Sequence, residues 1–228
     1  MNPRVTFDGI NWWISVGVEV ADNIKTPQND GVGIDLGLKN FAVCSDVNTY
    51  ENINKTTEIR KLSKRKRRLQ HRISRKYLIN KKGDSYCKTS NIIKSEKELL
   101  KLNHRLSGIR NNYLHQVSSE IIRREPSFIV LEDLNVAGMM KNKHLAKAIQ
   151  EQGFYEFYRQ LKYKADWNNI KFIEAPRFYP SSKLCCSCGS IKHDLKLKDR
   201  IYHCACGNAV DRDYQASVNL YNYGKVIA

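Results

Sequence analysis

The chain opens on an alternating pattern. Val5-Thr6-Phe7 and Ile10–Val20 flank Asp8-Gly9, and in the second arm Ile14, Val16, Val18 and Val20 alternate with Trp13, Ser15, Gly17 and Glu19. Period two around an Asp-Gly turn predicts a β-hairpin with one apolar face. A lone hairpin is marginal in water, so this face needs a partner, and the chain reads as starting inside a domain. Residues 21–31 are a polar Pro/Gly linker. Short apolar runs at Val32–Asp35 and Phe41–Ser45, joined through Gly37-Leu38-Lys39-Asn40, predict two strands, with a third over Asn48–Ile53. Helical composition covers 58–80 and 91–124, broken at Lys82-Gly83-Asp84-Ser85. Pro126 closes the second helix, and Ser127–Leu131 is a buried strand. Apolar or aromatic residues at 145, 149, 154, 157, 158 and 161 keep close to a 3.6 period, predicting one helix over Leu145–Trp167. A strand at Ile170–Glu174 and a helix at Asp213–Tyr223 complete the pattern. Strands first, then alternating helix and strand, point to an α/β layer fold with a mixed sheet.

Composition narrows the class. With 228 residues, 41% hydrophobic and 27% charged, the chain folds as one large domain or a domain plus a small module. No apolar run approaches the ~18 residues of a membrane-spanning helix, and Met1–Asp8 lacks the layout of a secretory signal. Charge changes the picture most. Lys and Arg number 39 against 23 acids, a net +16. Such an excess speaks to a polyanionic partner, nucleic acid first and a membrane surface second. No amphipathic helix with aromatic anchors supports the membrane. Twelve of the cations fall within residues 60–82, which contain no acid. Leu62, Leu69, Ile73 and Leu78 leave that helix a narrow apolar stripe. A solvated face normally mixes signs, so this run is a nucleic-acid-binding candidate, with Lys61, Lys64, Arg65, Lys66, Arg67, Arg68, Arg72, Arg75 and Lys76 at its centre.

The cysteines are equally uneven. Five of the seven lie within Cys185–Cys206. Cys185-x2-Cys188, fifteen residues, then Cys204-x-Cys206 supplies four thiolates from two knuckles, with Gly189 and Gly207 following each. That spacing suits a structural zinc in a reducing cytoplasm. Cys186 competes with Cys185, the second knuckle has one intervening residue where two are usual, and His203 is an alternative ligand. Among the acids, Asp35 ends one apolar strand, Glu132 and Asp133 end another, and Asp211 and Asp213 start the last helix. A single such Asp is usually a turn or cap residue. Acids at the ends of three core elements would repel one another unless they shared a hard cation, magnesium or manganese.

Taken in order, Gly33-Ile34-Asp35-Leu36-Gly37-Leu38-Lys39-Asn40, Ile129-Val130-Leu131-Glu132-Asp133-Leu134, Pro180-Ser181-Ser182-Lys183 and Asp211-Arg212-Asp213 resemble the OrfB/TnpB family of bacterial insertion sequences. The likeness runs from about Asn11 to Tyr223 and includes His115 and Tyr163-Lys164-Ala165. It implies an RNase H-like (RuvC-like) fold with an inserted zinc ribbon, and an RNA-guided, metal-dependent DNA endonuclease. Carried over by motif, the catalytic, magnesium-binding acids are Asp35, Glu132 and Asp213, and the zinc ligands Cys185, Cys188, Cys204 and Cys206. The implied partners are DNA and a guide RNA. The implied organisation is a barrel remnant and linker over 1–30, a nuclease domain over 31–180 with a basic helical insertion at about 58–125, a ribbon over 181–210 and the last nuclease segment over 211–228. Gln215 and Ser217 depart from the family's Asn and second Ala, and members are normally much longer. Two other classes follow from the same residues: a remnant or regulator that only binds DNA or RNA, and a strand-rejoining transposase. No tyrosine stands in a recognisable setting for the latter.

Overall fold

A computed structural model describes residues 2–19, 26–196 and 199–228. In chain order its elements are β1 (Arg4–Phe7), β2 (Trp12–Ser15), β3 (Val32–Leu36), β4 (Asn40–Cys44) and β5 (Thr49–Glu51). Then come α1 (Thr57–Ile79), β6 (Lys81–Lys82), β7 (Ser85–Tyr86), α2 (Ser90–Arg123), β8 (Phe128–Glu132), α3 (Val136–Met139) and α4 (Ala146–Gln152). The last are α5 (Phe154–Trp167), β9 (Lys171–Ala175), β10 (Ile201–His203), β11 (Ala209–Asp211) and α6 (Arg212–Ile227). The chain divides into two units, Met1–Ala21 with Asn54–Asn112, and Asp22–Ile53 with Tyr113–Ala228.

In the first unit the hairpin is present but its turn is wider than Asp8-Gly9. Phe7 pairs with Trp12, leaving a four-residue connection. Asp8 explains this: its carboxylate accepts from the amides of Ile10 at 2.8 Å and Asn11 at 2.7 Å, and from the Trp13 indole at 2.6 Å. The Asn11 amide, then the indole, hold its pKa down at about 2. Strand β2 stops at Ser15, Val16 and Val18 are exposed, and Val20 and linker residues 21–25 lie outside the described residues. Helices α1 and α2 are joined by the small β6–β7 hairpin, which turns on Gly83 at φ 58°. Ile59, Leu62, Leu69 and Ile73 bury the apolar stripe of α1, whereas Leu78, expected on it, is exposed. Glu58–Arg105, Arg65–Glu98 and Tyr77–Glu96 ties run antiparallel along the two helices.

The second unit is built on a five-stranded mixed sheet, order β5-β4-β3-β8-β9. Strand β3 runs antiparallel to β4 and parallel to β8, which is parallel to β9. Side chains alternate between faces. Val32, Ile34, Ile129 and Leu131 enter one core with Leu114, Ile149, Phe157 and Leu161. Phe128, Val130, Ile173 and Ala175 enter the other with Leu220 of α6. Gly33 faces α6, where a Cβ would overlap the Ser217 carbonyl oxygen and the Tyr221 amide nitrogen. Backbone cannot yield as a side-chain tip can, so Gly33→Ala should destabilise the chain by about 3 kcal/mol. Denaturant unfolding of the purified variant measures it, and a shift under about 0.5 kcal/mol, the range of neutral surface changes, would show the contact to be soft.

The helix expected over Leu145–Trp167 is two helices. Gly153 adopts φ 68°, a left-handed conformation that ends α4 and starts α5. The apolar period carries across the break because Ile149, Phe154, Phe157 and Leu161 all reach the same core. No described helix is long and apolar enough to cross a membrane.

Candidate active site and metal centre

Alternation decides where the acids point. Asp35 lies two residues past Gly33, and Glu132 two past Val130, so both face α6. The parallel register pairs Gly33 with Val130 and Ile34 with Leu131; one step on, it sets Asp35 beside Glu132. Helix α6 crosses this face and presents Asp213 in its first turn. Burial pushes the Asp35 carboxyl well above the usual carboxylate range, and the charges of Asp213, Glu132 and Asp211 push it further, against Arg212. Glu132 is also raised, by burial foremost, although the Ser181 hydroxyl at 3.4 Å donates to its Oε2. Asp213 has the Arg212 guanidinium 3.5 Å away.

Asp211 has a different task. Its Oδ1 accepts from the amides of Asp213 at 2.9 Å and Tyr214 at 3.2 Å, which makes it the N-cap of α6. Asp133, the other acid at the end of β8, pairs with Arg177 at 2.8 Å.

The cysteines come together more tightly. The sulfurs of Cys185, Cys188, Cys204 and Cys206 lie within 4.8 Å of one another. Cys185 and Cys206 are 3.7 Å apart, and Cys188 and Cys204 3.6 Å. A tetrahedral centre with metal–sulfur bonds of about 2.3 Å has sulfur–sulfur edges of about 3.8 Å, so the donor set fits a metal ion. The Cys206 amide N–H, then the Ser190 hydroxyl, bring the Cys204 thiol down to about 6. Cys206 goes the other way: the Asn208 amide lowers it, and the neighbouring thiols overcome that. Both knuckles turn on glycines with positive φ, Gly189 at 74° and Gly207 at 90°. Strands β10 and β11 flank the second knuckle and pair antiparallel, a hairpin the sequence pattern did not reveal. Cys186 lies outside the cluster of four; its thiol donates to Gln215 Oε1 at 3.7 Å.

Gln215, the residue that departs from the family motif, is fully buried. Its Oε1 accepts from Asn208 Nδ2 at 3.1 Å, while its Nε2 has no partner among the described residues. Asn208 Nδ2 also lies 3.5 Å from the sulfurs of Cys185 and Cys186, so one amide links the cysteine cluster to the helix carrying Asp213. Lys164, another motif residue, donates to Ser118 Oγ at 2.6 Å, Ser119 Oγ at 2.9 Å and the His115 carbonyl at 3.2 Å, tying α5 to α2. On the basic helix Lys61, Lys64, Arg67, Arg68, Arg72 and Arg75 are exposed and Lys66 is half-buried. Arg65 pairs with Glu98 at 2.7 Å, and Lys76 donates to Ser95 Oγ at 2.8 Å and the Asn91 carbonyl at 3.0 Å. These two cations have partners within the unit, a fact invisible from a run without acids.

The family model OrfB_IS605, described as "Probable transposase", matches residues 14–143. The chain belongs to the OrfB_IS605 family. A second model, the Cas12f1-like TNB domain, matches residues 154–220 of this OrfB_IS605 chain, spanning α5, the cysteine cluster and Asp213. Among curated relatives, a protein of Streptomyces pristinaespiralis named "Putative RNA-guided DNA endonuclease" is 31% identical over 93% of this chain and 50% of its own length. InsQ of Escherichia coli (strain K12), which carries the same description, is 28% identical over 85% of this chain and 48% of its own. The chain thus spans about half the length of the curated relatives it matches. Among solved structures, a Cas12f1–sgRNA–target DNA complex aligns with TM-score 0.61 at 17% identity over 96% of this chain and 55% of that one. A CRISPR–Cas12f ternary complex aligns with TM-score 0.63 at 18% identity, over 92% and 42%. The fold is shared with these proteins.

Proposed function

We propose that this chain is the nuclease part of an RNA-guided DNA endonuclease, with an RNase H-like (RuvC-like) sheet, a zinc ribbon at the four cysteines and a magnesium- or manganese-dependent site at Asp35, Glu132 and Asp213. The observation that carries the reading is the convergence of these acids from β3, β8 and α6, which raises Asp35. Like charges held together on separate elements call for a cation between them. Two hard cations about 4 Å apart would supply an activated water and stabilise the leaving oxygen of a phosphodiester. The chain's own groups prepare for this. Burial and the neighbouring acids hold the Asp35 carboxyl well above the usual carboxylate range, so it would release a proton on binding a cation. Ser181 orients Glu132, and Asp211 fixes the first turn of α6, so Asp213 is presented without rotating away. The organisation proposed is a barrel remnant over 1–30, the nuclease domain over 31–180 with its basic insertion at about 58–125, the ribbon over 181–210 and the closing segment over 211–228.

DNA and a guide RNA are the proposed partners, held through the exposed cations of α1. If these neutralise roughly six to ten phosphates, affinity falls about 10³- to 10⁵-fold between 50 and 200 mM salt. Replacing Lys64, Arg65, Lys66, Arg67 and Arg68 by Gln should flatten that slope; an unchanged slope would place the binding surface elsewhere.

The nuclease reading is tested on labelled DNA with magnesium or manganese, and Asp35→Ala as control. Because the chain spans half of its relatives, the expected result is weak metal-dependent nicking and no guided double-strand cleavage. Cutting that survives Asp35→Ala would move the site. Tight binding with no metal-dependent nicking would select a second reading, a nucleic-acid binder without activity.

A further inference from the structure

Of the four clustered cysteines Cys185 is the buried one, 2% exposed, whereas Cys188 and Cys206 face solvent. A divalent ion held by these thiolates leaves the centre with a surplus of negative charge. Water can hydrate an exposed sulfur, but a buried one needs donors from the protein. The Ser187 and Cys188 amides supply Cys185 from the backbone. Its side-chain donor is Asn208, whose Nδ2 lies 3.5 Å from the sulfur. The backbone of Asn208 serves the centre too: its N–H donates to Cys206, and its carbonyl accepts from the Cys204 amide at 2.9 Å.

A side-chain amide has a donor end and an acceptor end. Turned over, Asn208 would aim Oδ1 at the sulfurs of Cys185 and Cys186, each 3.5 Å from the present Nδ2. Gln215 opposes that turn. Its Oε1 accepts from Asn208 Nδ2 at 3.1 Å and from the Cys186 thiol at 3.7 Å, and it would repel an oxygen placed there. This orientation has a visible cost, because Gln215 is fully buried and its Nε2 has no partner among the described residues. Gln215 lies on α6, two residues past Asp213 and outside the cysteine segment.

We propose that Asn208 is a positioning residue of the metal centre, and that Gln215 raises the centre's affinity from α6 by holding the Asn208 amide toward the Cys185 sulfur. The proposal rests on the zinc reading of the four cysteines and is independent of the nuclease reading.

Zinc affinity of the full, reduced chain is measured by competition with a chelating dye. Cobalt(II) is loaded in parallel, and its sulfur-to-metal charge-transfer band reports on the thiolates. Asn208→Asp keeps the shape, removes the donor and brings a carboxylate to a negative centre. Zinc affinity should fall about 10- to 100-fold, the range for partners of metal ligands. A thiolate that loses a hydrogen bond gives up its electrons more easily, so the cobalt band should move to longer wavelength. Gln215→Met fills similar space without the oxygen, and should weaken zinc several-fold and move the band the same way. In an Asn208→Ala chain the Gln215→Met change should add little, because the two residues act in series. Since Gln215→Met also removes an unpaired buried amide, the metal-free variant should melt no lower than the parent, which circular dichroism checks. Parent-like zinc affinity and cobalt spectrum in Asn208→Asp overturn the proposal. So does Gln215→Met that binds zinc as the parent does, or that acts equally with Asn208 absent. A parent that takes up no zinc removes the zinc reading and this proposal with it.

Discussion

Asp35→Asn should lower any magnesium- or manganese-dependent nicking by at least about 10³-fold and, with the metal removed, make the protein more stable. Both effects have one cause. In the fold Asp35 is desolvated and faces Asp213, Glu132 and Asp211, so its carboxyl titrates well above the usual range. The unfolded-state value is about 3.9. Above that pH the native state holds a proton the unfolded state has released, so stability is full below about pH 4 and declines as pH rises toward the folded value. Glu132, raised in the same direction, adds to the decline. Asparagine carries no charge to lose, so the variant should show the shallower pH dependence and gain about 1–2 kcal/mol at neutral pH. Magnesium should then stabilise the parent and leave the variant nearly unchanged. Thermal melts across pH 4–8, with and without magnesium, make the comparison. Superimposable pH profiles for parent and variant would mean that the acids are too far apart to share an ion.

The second large effect concerns the four cysteines. Purified protein should hold about one equivalent of zinc, and Cys188→Ala with Cys206→Ala should lose it. Structural zinc contributes about 10–16 kcal/mol in small peptides, and little else holds this segment. Its paired strands are three residues each, and Cys185 and Tyr202 are its buried apolar side chains. Two-stranded ribbons of that length are not stable alone. Limited proteolysis of the double variant should therefore cut between residues 184 and 209, while the sheet of the second unit still melts cooperatively. Nicking should fall too, because the Arg212 amide donates to Arg200 across the segment and α6 begins where β11 ends. Full zinc content in the double variant would remove the assignment.

Much of this arrangement is readable from the residues, for identifiable reasons. Continuous apolar runs such as Phe128–Leu131 belong to strands buried on both faces, and they ended where the acids begin. Local pattern does not say which strand ends meet. That depends on the parallel register of β3 with β8 and on Gly33 admitting α6, both contacts between distant segments. Gly153 was misread because a left-handed glycine between two helices sharing one core leaves the apolar period intact. Tyr158, counted as a core position, also stacks on the exposed Tyr155, and one period cannot separate those tasks. The three-residue strands β10 and β11 are too short for any alternation to register.

The backbone contact at Gly33 also sets an order of events during synthesis. Strand β3 leaves the ribosome early, and β8 follows after the long helices, so a growing chain soon carries two of its three acids. Helix α6, which lies directly on Gly33 and brings Asp213, emerges after every other element described. Until it docks, the partly made chain exposes cationic helices but lacks one of the three carboxylates proposed to act together. Translation order thus separates the two proposed parts: a chain released before α6 carries the proposed binding surface without the proposed nuclease site.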